Sequence, residues 1–227
     1  MVNRSPIPVV DMPLKIVVLL SGEGTLLQSF INRQQSGLPI EIVAVISNRP
    51  NIGGLARAQK AEIPAHEIDH KLFPDRPTFE AALIKLIDFY KPDLIVLAGF
   101  MRILGEQFVD HYQGKLINIH PALLPKYKGL DTHRRAIEAG DTEHGSSVHL
   151  VTSELDGGPV IAQIKLPILP GDTAETLTER TKQKEHLLYP EVLRWIAEKR
   201  LVLAAGTPCC DGAPLKSPVI LEPDSEG

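Results

Sequence analysis

The chain has 227 residues, 43% of them hydrophobic, with 24 Lys and Arg against 28 Asp and Glu and a formal net charge of -4. That balance suits one or two domains with a full core, and it argues against broad nucleic-acid binding driven by phosphate neutralisation. No run reaches the roughly 18 uncharged apolar residues that span a bilayer, and the start MVNRSPIPVVDMPLK lacks an apolar segment with a cleavage site, so a cytoplasmic protein is expected.

In chain order, apolar runs bounded by turn signals fall at Lys15 to Ser21, Glu41 to Ser47, Leu94 to Phe100, Leu116 to His120, Ser146 to Val151 and Pro159 to Pro167. The first three are rich in Val, Ile and Leu throughout, as strands buried on both faces are. Helix-like segments lie between them at Thr25 to Gln35, Gly53 to Ala61 and Pro77 to Tyr90. In the last, Phe79, Ala82, Leu83, Leu86, Ile87 and Tyr90 recur at three- and four-residue spacing. Strands alternating with helices predict a mostly parallel α/β sheet with helices on both faces.

From about Gly145 the pattern changes to two strands joined by the turn Leu155 to Gly158. A strand-helix extension follows, capped by Asp172 or Thr173, and Pro190 is expected to divide its helical pattern into two helices. Residues 1–14 and 204–227 read as weakly ordered tails that could pack on the body, which leaves 15–203 as the main domain. The only cysteines, Cys209 and Cys210, are adjacent; they can neither bridge distant parts of the fold nor build a four-ligand zinc site.

After the first strand, Ser21-Gly-Glu-Gly-Thr-Leu-Leu-Gln28 opens a helix whose N-terminal amides suit a monophosphate. The same residues also suit a plain tight turn. A dinucleotide site is disfavoured, because Leu27 stands where a third glycine belongs and the second strand ends in Ser47-Asn48-Arg49 without an acidic residue. Eight histidines form no HExxH, and no metal is expected.

In Asn118-Ile-His-Pro-Ala-Leu-Leu-Pro-Lys-Tyr-Lys-Gly129, strand alternation points Asn118 and His120 one way, with Ile117 and Ile119 the other. Taken singly, His120 is equally readable as a structural histidine, the structural reading is favoured for His149, and Asp156 is most often a turn former. Taken together at the carboxyl ends of parallel strands, an amide, an imidazole and a carboxylate suit attack of an amine on a carbonyl. Asn118 and His120 would steady the oxyanion, and Asp156 would manage protons. These segments show no Ser or Cys nucleophile beside a base, which favours direct transfer.

The stretches VVLLSGEGT, ISNRPNIGGLARAQKAEIP, PDLIVLAGFMRIL, INIHPALLPKYKGLDTHRRAIEAGDTEHGSSVHLVTSELDGGPVIAQ and KEHLLYPEVLRW resemble the glycinamide ribonucleotide formyltransferases over about residues 15 to 203. The resemblance implies a Rossmann-like formyltransferase fold. It also implies transfer of the formyl group of 10-formyltetrahydrofolate to the amine of glycinamide ribonucleotide, in purine biosynthesis. No metal, nucleic acid or membrane takes part, and monomer and homodimer both remain open.

By that resemblance Asn118, His120 and Asp156 are catalytic, His120 as donor and oxyanion stabiliser, with His149 supporting them. A carboxylate close to His120 would favour its imidazolium. The ribonucleotide maps onto Gly24, Thr25, Leu26, Lys182, Gln183, Lys184 and Glu185, the last for a ribose hydroxyl. The folate maps onto Arg76, Met101, Arg102, Ile103, Leu104, Asn118, Thr152, Ser153, Glu154, Leu155 and Asp156. Many members carry Asn where Glu23 and Leu26 stand; Glu23 would repel a phosphate unless turned away, and Leu26 could offer only its backbone N-H.

The rival readings are a methionyl-tRNA formyltransferase, a 10-formyltetrahydrofolate hydrolase, and a silent folate- or nucleotide-binding module. The first two are expected to carry an added domain, where this chain has only 204–227 after Leu203 and 1–14 before Lys15. The third is disfavoured by the presence of His120 and Asp156.

Overall fold

The computed structural model describes residues 12–204 and 206–222; the expected N-terminal tail lies outside them except for 12–14. In chain order the elements are β1 (Leu14–Leu20), α1 (Thr25–Gln35), β2 (Ile40–Ser47), α2 (Gly53–Lys60), β3 (Ala65–Glu67), α3 (Arg76–Tyr90), β4 (Leu94–Leu97), α4 (Glu106–His111) and β5 (Leu116–His120). Then come α5 (Thr132–Glu138), β6 (Glu143–Leu150), β7 (Val160–Pro167), α6 (Ala174–Ala197), β8 (Leu201–Ala204), β9 (Thr207–Cys210), β10 (Ala213–Pro214) and β11 (Val219–Leu221).

One sheet runs β11-β7-β6-β5-β4-β1-β2-β3. Its pairs are parallel from β5 through β4 and β1 to β3, while β6 is antiparallel to both β5 and β7. Alternation along β1 explains its unbroken apolar run. Ile16, Val18 and Leu20 enter one core with Leu27 and Phe30 of α1 and Leu188 and Val192 of α6. Val17 and Leu19 enter the other with Phe79, Leu83 and Ile87 of α3 and Phe108 of α4. A strand covered on both sides has no polar face to show. Ile117 and Ile119 of β5 join the first core and Leu116 the second, so Asn118 and His120 lie on the second face, as alternation predicts.

Two helices, α3 and α6, begin where a side chain supplies an acceptor for free backbone donors. Asp75 accepts from Thr78 N ahead of α3, and Thr173 and Thr176 form a reciprocal capping box ahead of α6. Sequence periodicity missed three short elements: β3, α4 and α5, of 3, 6 and 7 residues. Each is too short to show a period.

Pro190 does not divide the last helix, which is continuous from Ala174 to Ala197. Proline lacks the N-H that would bond the carbonyl four residues earlier. That carbonyl, His186 O, instead accepts from Ser29 Oγ of α1 at 3.3 Å, and Pro190 is buried. The segment read as a C-terminal tail packs on the body: β8, β9 and β10 form a small antiparallel sheet, and β11 pairs in parallel with β7. Residues 205 and 223–227 lie outside the description.

If Ser29 replaces the missing donor, Ser29→Ala lowers unfolding free energy by about 1 kcal/mol in urea titration. In a Pro190→Ala background, where a backbone N-H serves His186 O, the same change costs little.

Candidate active site

The antiparallel register of β6 on β5 sets Asn118 opposite His149 and His120 opposite Ser147. Side chains directly opposite share a face. His149 Nδ1 lies 2.8 Å from Leu150 O, a carbonyl that can only accept, so Nδ1 carries the proton and Nε2 a lone pair. Asn118 Nδ2 stands 3.2 Å from that Nε2 and donates to it. The amide keeps a second N-H and its oxygen for other partners. Burial is the main influence holding the His149 pKa below its usual 6.5, which preserves the lone pair.

Asp156 reaches both imidazoles from the β6–β7 loop. Its Oδ2 is 3.4 Å from His120 Nδ1, and its Oδ1 is 3.7 Å from His149 Nε2. Gly129 N donates to Oδ2 at 2.9 Å, and His120 Nε2 donates to Tyr127 O at 2.8 Å. An oxygen acceptor thus faces each ring nitrogen of His120. The loop geometry is demanding. Asp156 has φ +48°, a conformation that Asp tolerates better than most residues. A Cβ on Gly158 would stand 1.9 Å from Leu150 O, so only glycine lets the chain return to β7.

The other expected residues fall into two groups, one on each side of this cluster. Gly24, at φ +69°, precedes α1, whose first residue Thr25 is exposed. Leu26 is buried at 7% exposure, so it offers only its N-H to a ligand. Glu23 lies against Gly53 at the start of α2, where a helix N-terminus attracts a carboxylate. On α6, Lys182 and Gln183 are exposed, while Lys184 and Glu185 are half-buried. Glu185 accepts from Ser146 Oγ at 2.9 Å, and burial pushes its pKa up to about 7.

On the opposite face, Leu104 and Val151 belong to the apolar cluster that contains Leu116 of β5. Met101, Ile103 and Leu155 are 64%, 58% and 50% exposed. Arg102 stacks over Phe79 at 5.0 Å, and its Nε is buried without a partner. Arg76, at the start of α3, is exposed, as are Ser153 and Glu154; Thr152 is half-buried. Glu154 pairs with Lys128 at 2.7 Å. Sequence reasoning missed the Tyr127 carbonyl and the Gly129 amide because both are backbone groups without a side-chain signature.

The fold is therefore a Rossmann-like α/β domain with an amide, two imidazoles and a carboxylate gathered at the end of its central strands. A family model described as formyl transferase matches residues 14–193. The phosphoribosylglycinamide formyltransferase of Escherichia coli strain K12 is 48% identical over 200 residues, covering 88% of this chain and 94% of the relative. The structure of a phosphoribosylglycinamide formyltransferase from Coxiella burnetii matches with TM-score 0.89 and 58% identity, covering 92% of this chain and all of that one (100%). A glycinamide ribonucleotide transformylase from Symbiobacterium toebii matches with TM-score 0.83 and 39% identity over 88% of this chain and 94% of its own. This chain belongs to the formyl transferase family.

Burial also lowers the pKa values of His133 and His144, the latter to about 4; Lys182 adds to the lowering at His133, and His133, its ring centroid 4.8 Å away, adds to it at His144. The unfolded chain accepts protons near pH 6.5 that the folded chain refuses, so stability falls as pH drops from about 6.5 towards 4. Thermal unfolding should show a lower Tm at pH 5 than at pH 7, and His144→Gln should narrow that gap.

Proposed function

We propose that this protein transfers the formyl group of 10-formyltetrahydrofolate to the amine of 5'-phosphoribosylglycinamide, giving formylglycinamide ribonucleotide for purine synthesis. The carrying observation is the convergence of Asn118, His120, His149 and Asp156 through contacts of 3.2 to 3.7 Å. The printed activities of the relatives support the reading.

The residues beside the cluster fit a folate. Met101, Ile103 and Leu155 offer apolar surface to a flat ring, and exposed Arg76 suits an acidic tail. Backbone groups of Met101 to Leu104 and Thr152 to Asp156 would read donor and acceptor edges. When bound, 10-formyltetrahydrofolate supplies the one-carbon group at the oxidation level of formate. The ribonucleotide would lie along Gly24, Thr25 and Leu26, with Lys182, Gln183, Lys184 and Glu185 from α6.

His120 presents its proton at Nε2, where a substrate oxygen takes the place of Tyr127 O, and Asp156 holds the ring through Nδ1. Asn118 spends one N-H on His149 and orients the reacting groups with its oxygen and its second N-H. Asp156 also accepts or relays the proton that the amine loses. Among the described residues no three His, Cys, Asp or Glu side chains are arranged to hold a metal ion, and the proposed reaction calls for none. No described helix is long and apolar enough to cross a membrane.

The direct test follows absorbance as 10-formyltetrahydrofolate is consumed, with and without glycinamide ribonucleotide. Formylated product and strict dependence on the ribonucleotide support the proposal. Consumption without it indicates a hydrolase, and no consumption in either case refutes the transfer. His120→Ala and Asp156→Asn should each lower kcat by about 10²- to 10⁴-fold while circular dichroism stays unchanged. Near-normal turnover in either variant removes that residue from the mechanism. Because the Glu185 carboxyl titrates near pH 7, KM for the ribonucleotide should change with pH around neutrality, and Glu185→Gln should flatten that profile.

A further inference from the structure

We infer that the segment Met101 to Gly105 is a ligand-reading loop fastened at both ends by three buried polar side chains outside the reacting cluster: Ser21, Asn48 and Glu80. These act as positioning residues for the folate half of the site, and the inference rests on the folate reading of that segment.

At the start of the loop, Met101 N donates to Ser21 Oγ at 2.8 Å, and Ser21 Oγ donates to Asn48 Oδ1 at 2.5 Å. Asn48 is fixed in turn, since His70 Nδ1 donates to its carbonyl at 2.8 Å. Ser21 and Asn48 are 3% and 2% exposed. At the end of the loop, Gly105 N donates to Glu80 Oε1 at 2.8 Å, and Arg76 Nε stands 3.9 Å from the same oxygen. Glu80 is 5% exposed, and a Cβ on Gly105 would come within 2.8 Å of its other oxygen.

Between these fastenings the backbone is unspent. The amides of Arg102, Ile103 and Leu104 donate to no protein acceptor among the described residues. Met101 and Ile103 turn outward while Leu104 is buried at 7%. Burying a serine, an asparagine and a glutamate costs free energy unless each is bonded. Here the bonds secure the two ends of a loop that has no regular secondary structure, leaving its middle donors free and already placed. A loop ordered beforehand does not lose that conformational entropy on binding. Arg76 gains as well, because the carboxylate beside it also holds the loop.

Two measurements test this. Amide hydrogen exchange on the ligand-free protein should show Met101 and Gly105 protected, with Gly105 protection lost in Glu80→Ala and Met101 protection lost in Ser21→Ala. Calorimetric titration with 5-formyltetrahydrofolate, which cannot donate its formyl group in this reaction, should give a Kd raised on the order of tenfold in either variant, with the Kd for glycinamide ribonucleotide within about twofold of wild type. Glu80→Gln keeps an oxygen acceptor for Gly105 and should restore tight binding.

Equal weakening for both ligands, or an unchanged folate Kd, overturns the inference. Should Glu80→Ala fail to fold, Ser21→Ala decides it by the same two readouts. If the wild-type protein binds no folate at all, the folate reading fails and takes the positioning role with it. Exchange at Met101 and Gly105 then shows separately whether the loop is fastened.

Discussion

Asn118 and His149 face each other because β6 runs antiparallel to β5 in a single register, with Asn118 opposite His149 and His120 opposite Ser147. A slip of one residue would send His149 to the other face of the sheet, and the amide would lose its acceptor. The register is enforced from the apolar side. Ile117, Ile119, Val148 and Leu150 all enter one core beneath α1 and α6, so any slip would expose them. Tyr189 of α6 adds a fixed point: its buried hydroxyl lies 3.0 Å from Ile117 O and 3.3 Å from Leu97 O, where β4 meets β5. Packing on one face thus sets the chemistry on the other.

Burial then assigns different states to histidines that look alike in sequence. His149 is enclosed, with its Nδ1 proton on a carbonyl, and serves as a neutral acceptor. His120 is equally enclosed but meets an acceptor at each nitrogen, one of them a carboxylate. Two imidazoles beside the same carboxylate therefore meet different partners, an amide donor for one and two oxygen acceptors for the other. Asp156 approaches both because its loop reverses through Gly157 and Gly158 and brings the carboxylate back over the sheet.

Much of this was legible in the residues. The long strands announced themselves by apolar runs, α3 by its spacing and the β6–β7 loop by its Asp-Gly-Gly turn, and Asn118 and His120 declared a common face by simple alternation. What escaped had physical reasons. The elements β3, α4 and α5 are too short to show a period. Pro190 misled because the hydroxyl that compensates for it comes from Ser29, 157 residues away from His186 in sequence. The C-terminal strands lie in a stretch whose Pro and Gly content reads as loop, yet β11 finds the open edge of β7.

The sequence by itself determined the alternating α/β plan, the shared face of Asn118 and His120, and the family resemblance, because each rests on local periodicity or on motifs read directly along the chain. Only the tertiary structure decided that His149 supports Asn118 as a neutral acceptor. It also decided that Leu26 turns into the core, that Glu23 turns to α2, and that Ser21, Asn48 and Glu80 converge on one loop. Those outcomes depend on burial and on partners distant in sequence, and neither is written in any local pattern.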